Sequence, residues 1–329
     1  MERTVLYDNH NRPISYLRIA VTDRCNLRCF YCMPEEGIRY LPKHELLTFE
    51  EIIRLTQVLA SLGISKVRIT GGEPFLRKDL IKLLEQIRAI EGVDELHITT
   101  NGLLAGDYIE DLVRLKISSV NLSLDTLDPE RFRTITRRDE FHKTRAVFDM
   151  LQKSAIPVKI NTVVMDGKNI EDILPLAELT RLQGISVRFI EEMPFNGTGM
   201  RFQSLKWNEK NILEYLRTYH PNMDMVPGRK HDTAKVFKIP GYAGTIGIIA
   251  AYTRNFCGSC NRIRLTAQGM LKTCLYDQGV LNVRDLVRNG STDDELKIAF
   301  KKSFQSRPKD GFEAEQNFVI KDSMSTIGG

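Results

Sequence analysis

The stretch YLRIAVTDRCNLRCFYC, residues 16–32, decides how the rest of the chain is read. Its first part, YLRIAVT at 16–22, is apolar and rich in β-branched residues, and predicts a strand. Just past that strand stand three cysteines, Cys25, Cys29 and Cys32, spaced C-x3-C-x2-C. Three thiols this close fit a soft metal site better than disulfides, which would leave one thiol over. Three rather than four is the informative number. A [4Fe–4S] cluster takes four ligands, so three thiolates leave one iron open for a small molecule. Structural zinc competes for the same thiols, but it wants four closed ligands, and His10 and His44 are the closest histidines.

Outward from this stretch the chain alternates between strand and helix patterns. LTFEEIIRLTQVLASLG (47–63) predicts a helix, with Thr48 and Glu51 as a capping box and Gly63 as its stop. Strands are predicted at 66–70, 95–100, 119–124, 157–164 and 185–192. Helices are predicted at 78–90, 106–116, 129–136, 142–154 and 169–183. Six βα steps in a row imply parallel strands with right-handed crossovers, as a doubly wound sheet or an incomplete barrel. Polar and glycine residues gather just after the strands, in TDRCN, TGGEP, TTNG, SLDT and EEMPFNG. Folds of this class place their chemistry at those strand ends. Beyond about residue 200 the pattern changes to a helix at 207–219, strand-like pieces at 234–239, 244–253 and 262–266, and terminal helices.

The remaining cysteines form a second group in FCGSCNRIRLTAQGMLKTC: Cys257, Cys260 and Cys274, spaced C-x2-C-x13-C. Zinc is a fairer competitor here, since the distant His231 supplies a fourth ligand type. Inside this group lie Arg262 and Arg264, which strand alternation puts on one face. Arginine forks suit phosphate, and a solvated strand face is the plainer reading. Arg18, Arg68 and Lys159 interrupt predicted strands, which is costly unless a ligand or carboxylate pairs with them.

Length and composition bound the answer. The chain has 329 residues, 42% hydrophobic and 27% charged, enough for a sizeable core without disulfide staples. Its formal net charge of +5 suits an anionic substrate and is too weak to argue for nucleic acid. No apolar run of signal-peptide type opens the sequence and none approaches the ~18 residues of a membrane span. A reducing cytoplasmic setting, with no membrane and no nucleic acid, is therefore expected.

CNLRCFYC, with Tyr31 before its last cysteine, and GGEP at 71–74 after the second strand resemble the signatures of radical S-adenosylmethionine (SAM) enzymes. The resemblance implies an incomplete (βα)6 TIM-like barrel of the α/β class. It also implies a [4Fe–4S] cluster on Cys25, Cys29 and Cys32, and contacts to SAM from Tyr31, Gly72, Ser123 and Met193. Core packing is the plainer role for Met193. The C-x2-C-N-R-x-R pattern, the third cysteine thirteen residues on, and the terminal Gly328-Gly329 narrow the likeness to the GTP 3′,8-cyclase family. That family carries out the first step of molybdenum cofactor biosynthesis.

What this narrower resemblance implies is specific. Residues 1–200 would form the radical SAM partial barrel, and 201–329 a smaller auxiliary-cluster and GTP-binding region. A second [4Fe–4S] cluster would sit on Cys257, Cys260 and Cys274. Arg18, Arg68, Thr99, Lys159, Arg262 and Arg264 would hold GTP, with Thr99 chosen over Thr100 by spacing. Gly328 and Gly329 would reach the active site. A 5′-deoxyadenosyl radical would take hydrogen from ribose C3′, and the carbon radical would attack guanine C8. A flavodoxin- or ferredoxin-type electron donor, a downstream cyclic pyranopterin monophosphate synthase and a homodimer are further expectations. Two alternatives stay open: another radical SAM enzyme with an auxiliary cluster, such as a peptide modifier, and a zinc or nucleic-acid-binding protein.

Overall fold

The computed structural model describes residues 5–198, 205–228, 231–316 and 322–328. Six strands alternate with helices in its first part: β1 Tyr16–Ala20, β2 Lys66–Thr70, β3 Glu95–Thr100, β4 Ser119–Ser123, β5 Val158–Val164 and β6 Ser186–Glu191. Six more follow: β7 Asp224–Val226, β8 Ala234–Lys238, β9 Thr245–Ile249, β10 Arg262–Leu265, β11 Met270–Lys272 and β12 Leu281–Asn282. All join one sheet in the order β12-β11-β10-β1-β2-β3-β4-β5-β6-β9-β8-β7. The run from β10 through β1–β6 to β9 is parallel. The outer pairs at both ends are antiparallel. The order is linear, so the barrel is open, as the six βα steps suggest. The later strands extend both edges of the six-stranded run instead of forming a sheet of their own.

Strand alternation explains where the core and the site lie. Leu17, Ile19, Val67, Ile69, Leu96, Ile98, Val120, Leu122, Ile160, Val187 and Phe189 are fully buried. They share one cluster with Ile52, Leu55, Leu83, Leu84, Leu112, Phe148 and Leu151 of the helices. Each such side chain stabilises the fold by roughly 1.5–3 kcal/mol. The intervening positions carry Arg18, Arg68, Thr99, Asn121, Lys159 and Arg188, facing the other side. A closed barrel fills that inner side with branched apolar residues. Here the inner side is polar and hollow.

The capping box is present as expected: Thr48 accepts from Glu51 N, and Glu51 accepts from Thr48 N. Gly63, at φ +103°, follows that helix. Several predicted elements are shorter in the fold. The strand expected at 244–253 is Thr245–Ile249, and the helix expected at 169–183 is a 3-10 turn Ile170–Asp172 followed by Ile173–Glu178. No helix among the described residues is long and apolar enough to cross a membrane.

Candidate active site

Register sets the charges. Arg18 of β1 pairs with Arg264 of β10 on one side and with Arg68 of β2 on the other. One step along, Tyr16 pairs with Arg262 and Lys66. Lys159 stands beside Asn121, and Asn161 beside Arg188. These side chains line a cavity of about 420 Å³ on the inner side of the sheet. Arg68 is held by Tyr16 Oη (2.5 Å), Ile98 O (3.1 Å) and Thr99 Oγ1 (3.4 Å). The row is self-repelling. Burial, then Arg264, hold the Arg18 guanidinium well below its ordinary pKa. Burial, then Arg188 and Arg68, bring Lys159 down to about 8. Buried Tyr16 is pulled down to about 7 by Arg68 and Arg18, against the upward push of its burial.

Buried polar atoms in this wall lack partners: Arg18 Nε, Asn121 Oδ1, Asn161 Oδ1, Arg188 Nε and Asn261 Oδ1. Buried polar atoms without partners are rare, and here they surround one cavity. Together with clustered cations, they fit a polyanionic ligand with further donors and acceptors.

The first triad sits on the loop after β1. Cys32 N and Met33 N donate to Cys29 O, and Arg28 Nη1 donates to Cys25 O at 2.7 Å. Asn101 Nδ2 points at Cys25 Sγ at 3.7 Å. Asn101 is in turn fixed by Glu73 of GGEP, which accepts from Asn101 N and Thr100 Oγ1, both at 2.8 Å. Burial raises the Glu73 carboxyl to about 7. Gly71 (φ +147°) has no room for a side chain, since a Cβ would lie 2.4 Å from Thr22 O. GGEP therefore presses its backbone onto the cysteine loop, and Gly72 N donates to Thr22 O at 2.9 Å. Tyr31 lines the cavity and donates to Asp125 Oδ2 at 2.7 Å.

The second triad borders a smaller cavity that shares Phe256, Arg262, Arg264 and Leu275 with the large one. Asp277 Oδ2 accepts from Thr273 N at 2.8 Å and Cys274 N at 2.7 Å. Buried Glu191 accepts from Tyr252 N and Thr253 N, steadying the approach to Cys257. Burial raises Cys25 to about 11, Cys32 to about 12 and Cys274 to about 11, so these thiols lose protons when a metal takes them. Cys260 differs. Its burial pushes upward, but the Arg262 and Arg307 guanidiniums outweigh that and bring it to about 6. Among the described residues, no three His, Cys, Asp or Glu side chains converge as ligands of a single ion. His231 Nδ1 instead meets Ser259 O at 2.9 Å, and the ring lines the large cavity. Each triad offers three thiols and, among the described residues, no fourth side-chain ligand gathered with them, a donor set that leaves one iron of a [4Fe–4S] cluster open.

The other expected contacts that fall within the described residues can be placed. Ser123, Met193 and Thr99 line the large cavity, whereas Thr100 turns away to Glu73. Met193 also packs against the small buried cluster of Phe195, Tyr276, Ala314 and Ile327. Gly328 O accepts a hydrogen bond from Arg264 Nη1, and its Cα lies so close to Ala20 and Thr70 that a Cβ would meet Thr70 Cγ2 at 2.8 Å. Gly329 lies outside the described residues. Ser323 Oγ donates to Cys32 O at 2.6 Å, and Asp322 pairs with Lys272 at 2.9 Å, so the tail segment touches both triads' loops. The sequence reading missed Tyr16, Asn121, Asn161 and Arg188. The signal for Arg188 was present: it interrupts ISVRFIEE as Arg18 interrupts YLRIAVT.

Comparison with known proteins agrees with this geometry. Residues 19–180 match the radical SAM superfamily, and 185–313 match the family described as Molybdenum Cofactor Synthesis C. A solved structure of SuiB from Streptococcus suis shares the fold, with TM-score 0.59 and 16% identity over 88% of this chain and 69% of that one. Molybdenum cofactor biosynthesis protein 1 of Bos taurus is 42% identical over 88% of this chain, which spans 46% of that relative's length. The GTP 3′,8-cyclase of Petrotoga mobilis is 40% identical over 98% of this chain and 100% of its own length. With the two triads, the open parallel sheet and this full-length match in place, the chain belongs to the GTP 3′,8-cyclase family of the radical SAM superfamily.

Proposed function

We propose that this chain converts GTP to 3′,8-cyclo-7,8-dihydro-GTP, the first step of molybdenum cofactor biosynthesis. The observation that supports it most is the register-aligned row Arg264–Arg18–Arg68, closed by Lys159 and Arg188 around one cavity that runs from Tyr31 to Leu275. A charge-assisted hydrogen bond to a phosphate contributes roughly 1.5–3 kcal/mol, so a few of these cations anchor a triphosphate. Cys25, Cys29 and Cys32 would hold one [4Fe–4S] cluster, and Cys257, Cys260 and Cys274 a second. When bound, the first cluster and SAM would supply the one-electron radical chemistry that removes hydrogen from ribose C3′ and joins C3′ to guanine C8, with one electron from the reductant and one proton taken up to complete the dihydro product.

The chain's own residues bind, aim and exclude water. Tyr31, Gly72, Ser123 and Met193 would flank SAM at the first triad's end of the cavity. Arg18, Arg68, Thr99, Lys159, Arg262 and Arg264 would hold GTP, with its base toward the second triad. Arg188, Asn121 and Asn161 complete that wall. Gly328 and Gly329 would close over the substrate from the tail. The same reading carries a flavodoxin- or ferredoxin-type reductant, a downstream cyclic pyranopterin monophosphate synthase, a homodimer and a cytoplasmic setting.

The test is anaerobic. The reconstituted, reduced protein receives SAM, and 5′-deoxyadenosine is quantified with and without GTP. Strong stimulation by GTP is expected, and its absence in a cluster-loaded enzyme would sink the substrate assignment. Replacing Arg262 and Arg264 with alanine is expected to weaken GTP binding while iron content stays intact.

A further inference from the structure

Arg307 belongs to neither cysteine motif and does not line the large cavity. It is 3% exposed, and its guanidinium is fully engaged. Nε donates to Thr273 O at 2.8 Å, next to Cys274. Nη1 donates to Cys260 O at 2.9 Å and to Asp8 Oδ2 at 3.2 Å. Nη2 donates to Arg262 O at 2.8 Å and to the sulfur of Cys260 at 3.2 Å. One planar fork thus ties the Cys260 arm of the triad to the Cys274 arm.

Asp8 seats this fork. Its carboxylate is buried and also accepts from Arg12 Nε at 2.7 Å. Arg12 donates to Cys257 O at 3.2 Å and to the carbonyls of Pro308 (2.8 Å) and Lys309 (2.6 Å). The turn that presents Asp8 and Arg12 is closed by His10 N and Arg12 N, both donating to Asp8 Oδ1 at 2.9 Å. Two guanidiniums on one buried carboxylate therefore hold all three cysteine-bearing segments of the second triad.

We infer that Arg307, seated by Asp8, is a positioning residue of the second triad that locks its two arms together and sets the reduction potential of the cluster bound there through its N–H bond to the Cys260 sulfur. The inference rests on the reading that this triad holds a [4Fe–4S] cluster. Hydrogen bonds to ligand sulfur and a nearby positive charge both favour the reduced cluster, so they raise its potential. Arg262 also reaches Cys260 Sγ, at 3.5 Å, but it faces the substrate cavity and stacks on Phe256 at 4.7 Å. Arg307 stands away from that cavity, which makes its effect separable from substrate binding.

The experiment uses the full chain with Cys25, Cys29 and Cys32 replaced by alanine, so that only the second cluster is loaded. Arg307→Met and Arg307→Lys are compared with this parent by iron and sulfide content, by redox titration followed with electron paramagnetic resonance, and by GTP affinity. Arg307→Met is expected to lower the reduced-to-oxidised ratio at fixed ambient potential about tenfold, which is about 59 mV for one electron. GTP affinity is expected to stay at the parent's value. Arg307→Lys keeps the charge but not the fork, and is expected to fall between the two. A potential equal to the parent's in Arg307→Met overturns the inference. If that variant retains no iron, Arg307→Lys decides: a lowered potential supports the inference and an unchanged one overturns it. A parent that binds no cluster would instead overturn the reading of the second triad, and the inference with it.

Discussion

Replacing Arg18 with methionine is expected to make the ligand-free protein more stable and unable to respond to GTP. Arg18 lies in register between Arg264 and Arg68, on strands about 4.8 Å apart. At separations of about 5–10 Å and an effective dielectric of ~20, two unit charges repel by about 2–3 kcal/mol. Water in the cavity screens this, leaving about 1 kcal/mol for each of the two neighbours. The unpartnered Arg18 Nε contributes a further penalty of roughly 1 kcal/mol or more. Methionine keeps the apolar stem that packs in the strand. The net relief is about 1–3 kcal/mol, a rise in melting temperature of roughly 2–6 °C at about 2 °C per kcal/mol for a chain of this size. GTP at a hundredfold excess over Kd stabilises the parent by about 2.7 kcal/mol, and the variant is expected to lose most of that shift. Thermal unfolding of the cluster-loaded protein, with and without GTP, reads both effects. A variant that melts lower than the parent without ligand, or that keeps the full GTP shift, refutes the reasoning.

Lys159, with its pKa brought down to about 8 by burial and then by Arg188 and Arg68, is expected to weaken GTP binding as pH rises past about 8. Lys159→Arg is expected to flatten that profile in an equilibrium binding series. The same depressed pKa means that the unfolded chain binds more protons between about pH 8 and the lysine's ordinary value, so this residue's contribution to stability rises with pH there. Tyr31→Phe removes the 2.7 Å bond to Asp125, whose carboxyl burial has already raised to about 6. Because a raised carboxyl pKa contributes stability at low pH that is lost as pH climbs through it, the variant's deficit, about 1 kcal/mol, is expected to be larger at pH 7 than at pH 5 in denaturant titrations. Thr48→Ala removes the hydroxyl that accepts from Glu51 N, one of the two bonds of the capping box, and is expected to lower stability by about 1 kcal/mol while turnover stays unchanged, as urea melts and product assays would show.

The local part of the architecture was legible because local periodicity encodes it. The helix after Thr48 and the six βα steps follow from patterns that repeat within ten to fifteen residues, as does the paired placement of Arg262 and Arg264. What sequence does not carry is long-range register. Nothing in RIRLT says that it will lie beside YLRIA and bring Arg264 against Arg18, and nothing in TIGII says that it will pair with β6. Arg307 and Asp8 were invisible for the same reason, since Arg307 meets Asp8 and Cys260 only through the fold. Asn121 and Asn161 resembled ordinary strand polar residues, and only their burial without partners marks them.

The pairing of β1 with β10 also bears on how the chain comes together. β1 is flanked on one side by β2, formed within the next fifty residues, and on the other by β10, which begins at Arg262. At synthesis rates of about 5–20 residues per second, the far edge of β1 stays open for some tens of seconds after it leaves the ribosome. An open edge with Leu17 and Ile19 on its strand is a template for mispairing with other chains. Arg18 sits in the middle of that strand, and a charge on an unpaired edge discourages such contacts. The residue proposed to hold a phosphate in the finished protein thus also guards the nascent one, and Arg18→Met chains would be expected to aggregate more during refolding even though the folded form melts higher.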